Sequence, residues 1–253
     1  MKKMITELDK LLAQGKDITK DDLKIRKKST LMNASRCIIF EFLCLHPCSS
    51  VTNIAKGLDI SESRVRWHLE KLIWDRYVSA QENGSTIFFP SNMINPDHVR
   101  IFRLLAQEKS SAILTSIKSR EGLYLSELSR ELDLNIRTVM KYTSDLEYLG
   151  IIRGANDGKF KRYYLTGLLD ELKEYYRKNA KNFRDYFLKK AKMDALRPKI
   201  ILSTPELLRL ELVVGTKIRV LNIPLIPFSE VKQGLRDMWK EKLTQKGSLI
   251  SYT

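Results

Sequence analysis

The stretch LDISESRVRWHLEKL, residues 58–72, returns 74 residues later as LDLNIRTVMKYTSDL, residues 132–146. In the first copy Ile60 precedes Ser61, a helix N-cap residue, and Val65, Leu69 and Leu72 then fall on one face of a helix. Ile60 and Val65 also fit a hydrophobic staple, which sets the angle at which the chain joins the helix. In the second copy Leu134, Asn135, Val139 and Leu146 take the corresponding places. The offset holds without a gap from Ile39 and Ile113, through Ile54 and Leu128, to Val78 and Ile152. Register kept over that length is an internal repeat of about one small domain.

Each copy reads as helix, helix, turn, helix and two short strands. Before the quoted stretch, Asn33 to Leu45 is apolar over most of its length (Cys37, Ile38, Ile39, Phe40, Phe42, Leu43), as in a helix that neighbours surround. Ser50 caps a short second helix with Val51, Ile54 and Ala55, and Gly57 stands where that helix should stop. After the quoted helix, YVSA and TIFF flank an Asn83-Gly84 hairpin turn. The second copy has Ile151 and Ile152, the turn Ala155-Asn156-Asp157-Gly158, and the return KFKRYYL. Three helices followed by a hairpin predict a winged helix-turn-helix. The fold expected is mainly α with small β-hairpin wings: winged units over 31–93 and 97–166, then a long helix and a small C-terminal α+β unit.

The string SESRVRWHLEKLIWDRYV, residues 61–78, resembles the recognition helix and first wing strand of ArsR-like and MarR-like winged-helix regulators. Ser61, Ser63, Val65, His68, Leu69 and Leu72 match that pattern in copy one; Thr138, Val139, Leu146, Leu149-Gly150-Ile151 and Ile152 match it in copy two. The whole chain resembles the tandem winged-helix regulators of archaea, a group that includes archaellum gene regulators. The resemblance implies transcription regulation at promoter DNA. Arg64 stands where the family has a small residue, Arg76 where it has Gly, and Ile136 at an exposed early helix position, so base preference does not carry over.

Composition agrees with a polyanionic partner. The 253 residues carry a net charge of +15 and 43% hydrophobic residues, enough chain for two or three small cores. Such a surface attracts nucleic acid or anionic membrane. No run approaches the ~18 apolar residues of a spanning helix, and MKKMITELDK lacks the apolar core of a signal peptide. A cytoplasmic protein with its three cysteines reduced is expected.

The outward face of each third helix supplies the candidate DNA contacts: Ser63, Arg64, Arg66 and Trp67 in copy one, and Ile136, Arg137, Met140 and Lys141 in copy two. Arg can bridge two guanine acceptors in the major groove, and an apolar side chain can meet a thymine methyl. Lys159, Lys161 and Arg162 on the second wing would meet phosphates or a minor groove. The plainer readings are that such cations form a solvated helix face, that Trp67 covers the surface and that His68 is a packed core histidine. Cys44, His46 and Cys48, with Cys37 seven residues before Cys44 on the same helix face, resemble a thiolate and imidazole metal cluster, but their spacing matches no standard zinc module. Small buried thiols in an apolar helix are the simpler reading. No cofactor or metal is expected, and the absence of a phosphate-binding glycine loop or a two-histidine motif speaks against an enzyme.

The remaining segments suggest assembly. Leu168 to Ala195 has no Pro or Gly, and Leu168, Leu172, Tyr175, Phe183, Tyr186 and Phe187 mostly advance by three or four. A helix of about 28 residues would be about 42 Å long, and pairing of this 167–196 helix in a homodimer is expected. In 197–253, LLRLELVV alternates like a strand, yet Thr204-Pro205-Glu206 is also a good helix start. Ser229 then caps a helix with Val231, Leu235, Met238 and Trp239. This unit could bind a partner such as the transcription machinery, sense a ligand or complete a dimer. Residues 1–30 read as a helix and a basic linker. Against a specific regulator stand two other classes: an architectural or general initiation factor bound through phosphates alone, and a winged-helix protein-interaction module.

Overall fold

The computed structural model of the protein describes residues 30–227 except residue 84. The expected helix and linker before Thr30, the glycine of the first hairpin turn and the helix after Ser229 lie outside the described residues. The first unit runs α1 (Ala34–Leu45), α2 (Val51–Leu58), α3 (Glu62–Trp74), β1 (Val78–Asn83) and β2 (Ser85–Pro90). A short α4 (Val99–Leu105) leads to the second: α5 (Glu108–Ser119), β3 (Leu123–Tyr124), α6 (Leu125–Glu131), α7 (Ile136–Tyr148), β4 (Ile152–Asp157) and β5 (Phe160–Leu165). A long α8 (Leu168–Met193) and an antiparallel meander of β6 (Arg197–Ser203), β7 (Leu207–Val214) and β8 (Lys217–Pro224) follow. Strand makes up 24% of the structure and helix 53%. This is a more mixed fold than the mainly α one expected, because the described C-terminal unit is all strand.

The repeat extends to backbone signs. Positive φ occurs at Cys48, Asp59 and Arg76 in the first unit and, 74 residues on, at Gly122, Asp133 and Gly150 in the second. In both, a segment before the second helix pairs with the returning hairpin strand: Ser49 bridges Phe88, and β3 pairs with β5. These pairings are too short to signal in sequence. The cap read at Ser50 forms, Ser50 accepting from Asn53 N–H at 3.2 Å, and Asn33 caps α1 by accepting from Arg36 N–H at 3.2 Å.

Gly57 does not end α2. The helix continues to Leu58, and Asp59 makes the left-handed step at φ 54°. Gly57 instead makes room for a ring: a Cβ there would stand 2.5 Å from Phe42 Cε2.

Every residue of α1 except Arg36 is buried. The first unit covers one side of it; the C-terminal sheet and α8 cover the rest. β8 lies along α1, and Asn222 N–H donates to Glu41 Oε1 at 2.7 Å, satisfying a backbone donor on the sheet's edge. Phe187 of α8 stacks on Phe40 with centroids 5.5 Å apart, and the Tyr77 hydroxyl donates to Asp194 Oδ2 at 2.7 Å. By contrast α5, the counterpart of α1, buries only Ser110, Ile113, Ser116 and Ile117. Among the described residues nothing equivalent to the sheet lies on it, and it keeps a polar face.

The buried stripe of α8 is Leu172, Tyr176, Ala180, Phe183, Phe187 and Ala191. Tyr175, expected inward, is exposed, and Tyr176 takes its place because the stripe drifts with the 3.6-residue period. Since its own chain covers this stripe, the stripe does not offer the open apolar face that pairing with a second copy would need.

LLRLELVV is strand β7, with Leu208, Leu210 and Leu212 turned into the core. The apparent helix start before it is a turn, in which Leu207 N–H donates to Thr204 Oγ1 at 2.9 Å.

Candidate nucleic-acid interface

In the first unit Ser61 caps α3 by accepting from Arg64 N–H at 3.4 Å, so the next residues project from the helix start. Val65, Leu69 and Leu72 are buried, and Ser63, Arg64, Arg66 and Trp67 are exposed. The two arginines differ. Arg66 Nη2 pairs with Glu62 Oε2 at 3.0 Å, and Glu62 is also held across the turn by the Thr52 hydroxyl at 2.7 Å. Hydrogen bonds from Thr52 and Arg66 keep the Glu62 carboxyl below the usual carboxylate range. The Arg64 guanidinium has no ion pair or hydrogen bond among the described residues. Trp67 is 50% exposed, with the Arg36 guanidinium 5.8 Å from its ring centroid and the buried His68 edge-on at 4.8 Å.

In the second unit Asn135 caps α7 by accepting from Arg137 N–H at 2.9 Å. Ile136 and Met140 are 49% and 52% exposed, and Arg137 and Lys141 flank them. Two large apolar side chains in water beside two cations form a half-apolar, positive face, the kind that reads thymine methyls and phosphates together. Lys141 Nζ lies 5.7 Å from the Tyr142 ring centroid, and neither cation meets a carboxylate among the described residues.

The second wing departs from expectation. Lys161 Nζ pairs with Glu147 Oε2 at 2.7 Å, which raises the ammonium's pKa. Gly154 permits this reach, because a Cβ there would stand 1.9 Å from Lys161 Cε. Arg162 Nε donates to Asp157 Oδ2 at 2.6 Å, Nη1 donates to the Gly122 carbonyl at 3.0 Å, and the guanidinium sits 4.2 Å from the Tyr124 ring centroid. The Tyr124 hydroxyl donates to the same Asp157 oxygen at 2.6 Å. These bonds from Tyr124 and Arg162 hold Asp157 below its ordinary range. Lys161 is therefore tied to α7 and Arg162 to the hairpin's own Asp157 rather than held out toward a polyanion, and Lys159 at the turn is exposed. Beside it Phe160 is 65% exposed and meets Tyr124 edge-on at 5.5 Å. It was not among the sequence candidates; its place in KFKR, next to a turn, was the available signal.

Cys44, His46 and Cys48 do not converge, and among the described residues no group of three His, Cys, Asp or Glu could hold a metal ion. Burial pushes the Cys48 thiol up to about 12 and Cys44 well up, so both are protonated at neutral pH and poor ligands. Cys37 donates to the Leu31 carbonyl at 2.5 Å, and His46 packs on Phe42. No described helix is long and apolar enough to cross a membrane.

No protein-family model matches the chain. It is 25% identical over 168 residues to an uncharacterized HTH-type transcriptional regulator of Methanocaldococcus jannaschii. That match takes in 66% of this chain and 42% of the relative, so the chain spans less than half the relative's length. Among solved structures, the DIP2311 protein from Corynebacterium diphtheriae aligns over 52% of this chain and 26% of its own, at 15% identity and a TM-score of 0.22.

Proposed function

We propose that the protein is a sequence-specific regulator of transcription that binds double-stranded promoter DNA through two winged helix-turn-helix units of the ArsR and MarR type. α3 and α7 act as recognition helices in the major groove. The observation that carries this reading is the repeated exposed face at the start of both helices, where Arg64, Arg137 and Lys141 meet no carboxylate among the described residues. Resemblance to an archaeal HTH-type regulator supports it, as does the net charge of +15. Arg64, Ile136, Arg137 and Met140 contact bases; Ser63, Lys141 and Lys159 contact bases at the edge of the site or phosphates. Arg66 has first to leave Glu62. The protein acts in the cytoplasm and is not an enzyme.

The test is selection of bound sites from a random duplex pool, followed by titration of the best site and a scrambled one at several salt concentrations. A specific regulator binds its site at least about a thousandfold more tightly than the scramble. Arg64→Ala and Arg137→Ala should each remove about 1–3 kcal/mol of that preference. Equal binding with parallel salt slopes would indicate an architectural factor, and no binding would indicate a protein-interaction module.

A further inference from the structure

Between the first hairpin and the C-terminal end of α7 lies a cleft of 590 Å³, with α4 along it. Ile87, Val99 and Leu149 give it an apolar lining, and Arg100 and Arg103 stand in it one helical turn apart. Arg66, Arg120, Arg162, Arg177 and Arg184 are held by carboxylates. These two are not. Arg103 donates only to Ser85 Oγ, at 3.3 Å, and Arg100 makes no ion pair or hydrogen bond among the described residues.

Two guanidiniums three residues apart project from one helix face and present planar forks matched to carboxylate and phosphate oxygens. An apolar lining beside them suits the body of an organic molecule, and the volume lies within the roughly 300–1,000 Å³ of small-molecule sites. Across the cleft stand Asp145 and Tyr148 of α7. Asp145 and the negative end of the α7 dipole disfavour an anionic group on that side. The anionic group therefore belongs at α4, and a neutral or cationic end at α7.

We propose that this cleft binds a small organic anion, a carboxylate or phosphate ester with an apolar body, gripped by Arg100 and Arg103. Its walls come from both repeated units, so an occupant that touches both sets the separation between the first unit and α7. The consequence for DNA, a change in the spacing of the two recognition helices, rests on the function proposed above; the anion site does not. A DNA phosphate would offer the arginines the same chemistry, and the experiment separates the two sources.

The full chain is titrated calorimetrically with phenyl phosphate and, separately, with a duplex, as wild type, Arg100→Gln and Arg100→Gln/Arg103→Gln. Arg100 is exposed and makes no ion pair or hydrogen bond among the described residues, so the single variant retains its thermal transition and serves as the folded reference. The expected result is saturable binding of one phenyl phosphate, weakened at least about tenfold in the double variant, with duplex affinity changed less than twofold. Phenyl phosphate binding that is absent, or equal in wild type and variants, overturns the proposal. So does a double variant that leaves phenyl phosphate unaffected but lowers the duplex salt slope by about 1.8, since the arginines then serve the DNA backbone.

Discussion

At Arg76 and Gly150 the backbone makes the same left-handed step, with φ of 57° and 72°. A glycine makes it without the Cβ crowding that an L side chain meets there. Around Gly150 there is room, the nearest atom to an added Cβ being Leu168 Cδ2 at 3.9 Å. Gly150→Ala should therefore lower stability through the backbone alone, by about 1–2 kcal/mol in urea unfolding, while leaving the outward side chains of α7 in place. The wing ion pairs lead to a second prediction. Asp157→Asn and Glu147→Gln weaken the hold on Arg162 and Lys161, and each cation released to DNA should steepen the salt dependence of duplex binding by about 0.9. The depressed Asp157 pKa adds a pH sign. Because its folded value lies below 3.8, its stabilising contribution is complete above that pH and is lost as pH falls through the folded value. Carboxyl NMR titration should show Asp157 protonating below the ordinary aspartate value of 3.8. Ile136 and Met140 were legible in sequence as outward positions of a periodic helix, and Arg64 as a position near the boundary of that face. The pairing of Lys161 and Arg162 was not, because it depends on which acids the hairpin and α7 bring beside them.

At the scale of elements, α1 links the first unit to the C-terminal sheet. Glu41 Oε1 accepts from Asn222 N–H in a fully buried place. Glu41→Leu leaves that donor without this acceptor and should cost about 1–3 kcal/mol. Glu41→Gln keeps an acceptor oxygen and should lose less. Amide exchange at Asn222 reports the difference, being fast in the leucine variant and slow in the glutamine one. The apolar run Ile38 to Leu45 was readable as a surrounded helix, yet nothing in it named the neighbours. Strand β7 and a helix beginning at Thr204 were equally compatible with the local pattern. Packing of Leu208, Leu210 and Leu212 into the core selects the strand.

Across the whole molecule α8 joins the parts. Phe187 packs on Phe40 and Tyr77 of the first unit, while Tyr176 packs on Phe102 and His98 at the approach to the second. Phe187→Ala should cost about 3–5 kcal/mol and lower the melting temperature of the whole chain rather than of α8 alone. His98 Nδ1 lies 3.1 Å from the Tyr176 hydroxyl, and burial lowers its pKa below 6.5. The neutral ring is therefore the folded form. Its contribution is complete above about pH 6.5 and is lost as pH falls through the folded value. Urea midpoints at pH 8 and pH 5 should differ, and His98→Asn should narrow the gap. The amino-acid sequence alone determined the repeat, its helices and hairpins and the outward face of each third helix, because caps, periodicity and turn residues act over a few neighbours. Tertiary structure decided what surrounds α1, which stripe of α8 is used up within the chain, which cations are neutralised and where two units leave a cleft. Those outcomes depend on groups up to 181 residues apart, whose meeting no local pattern encodes.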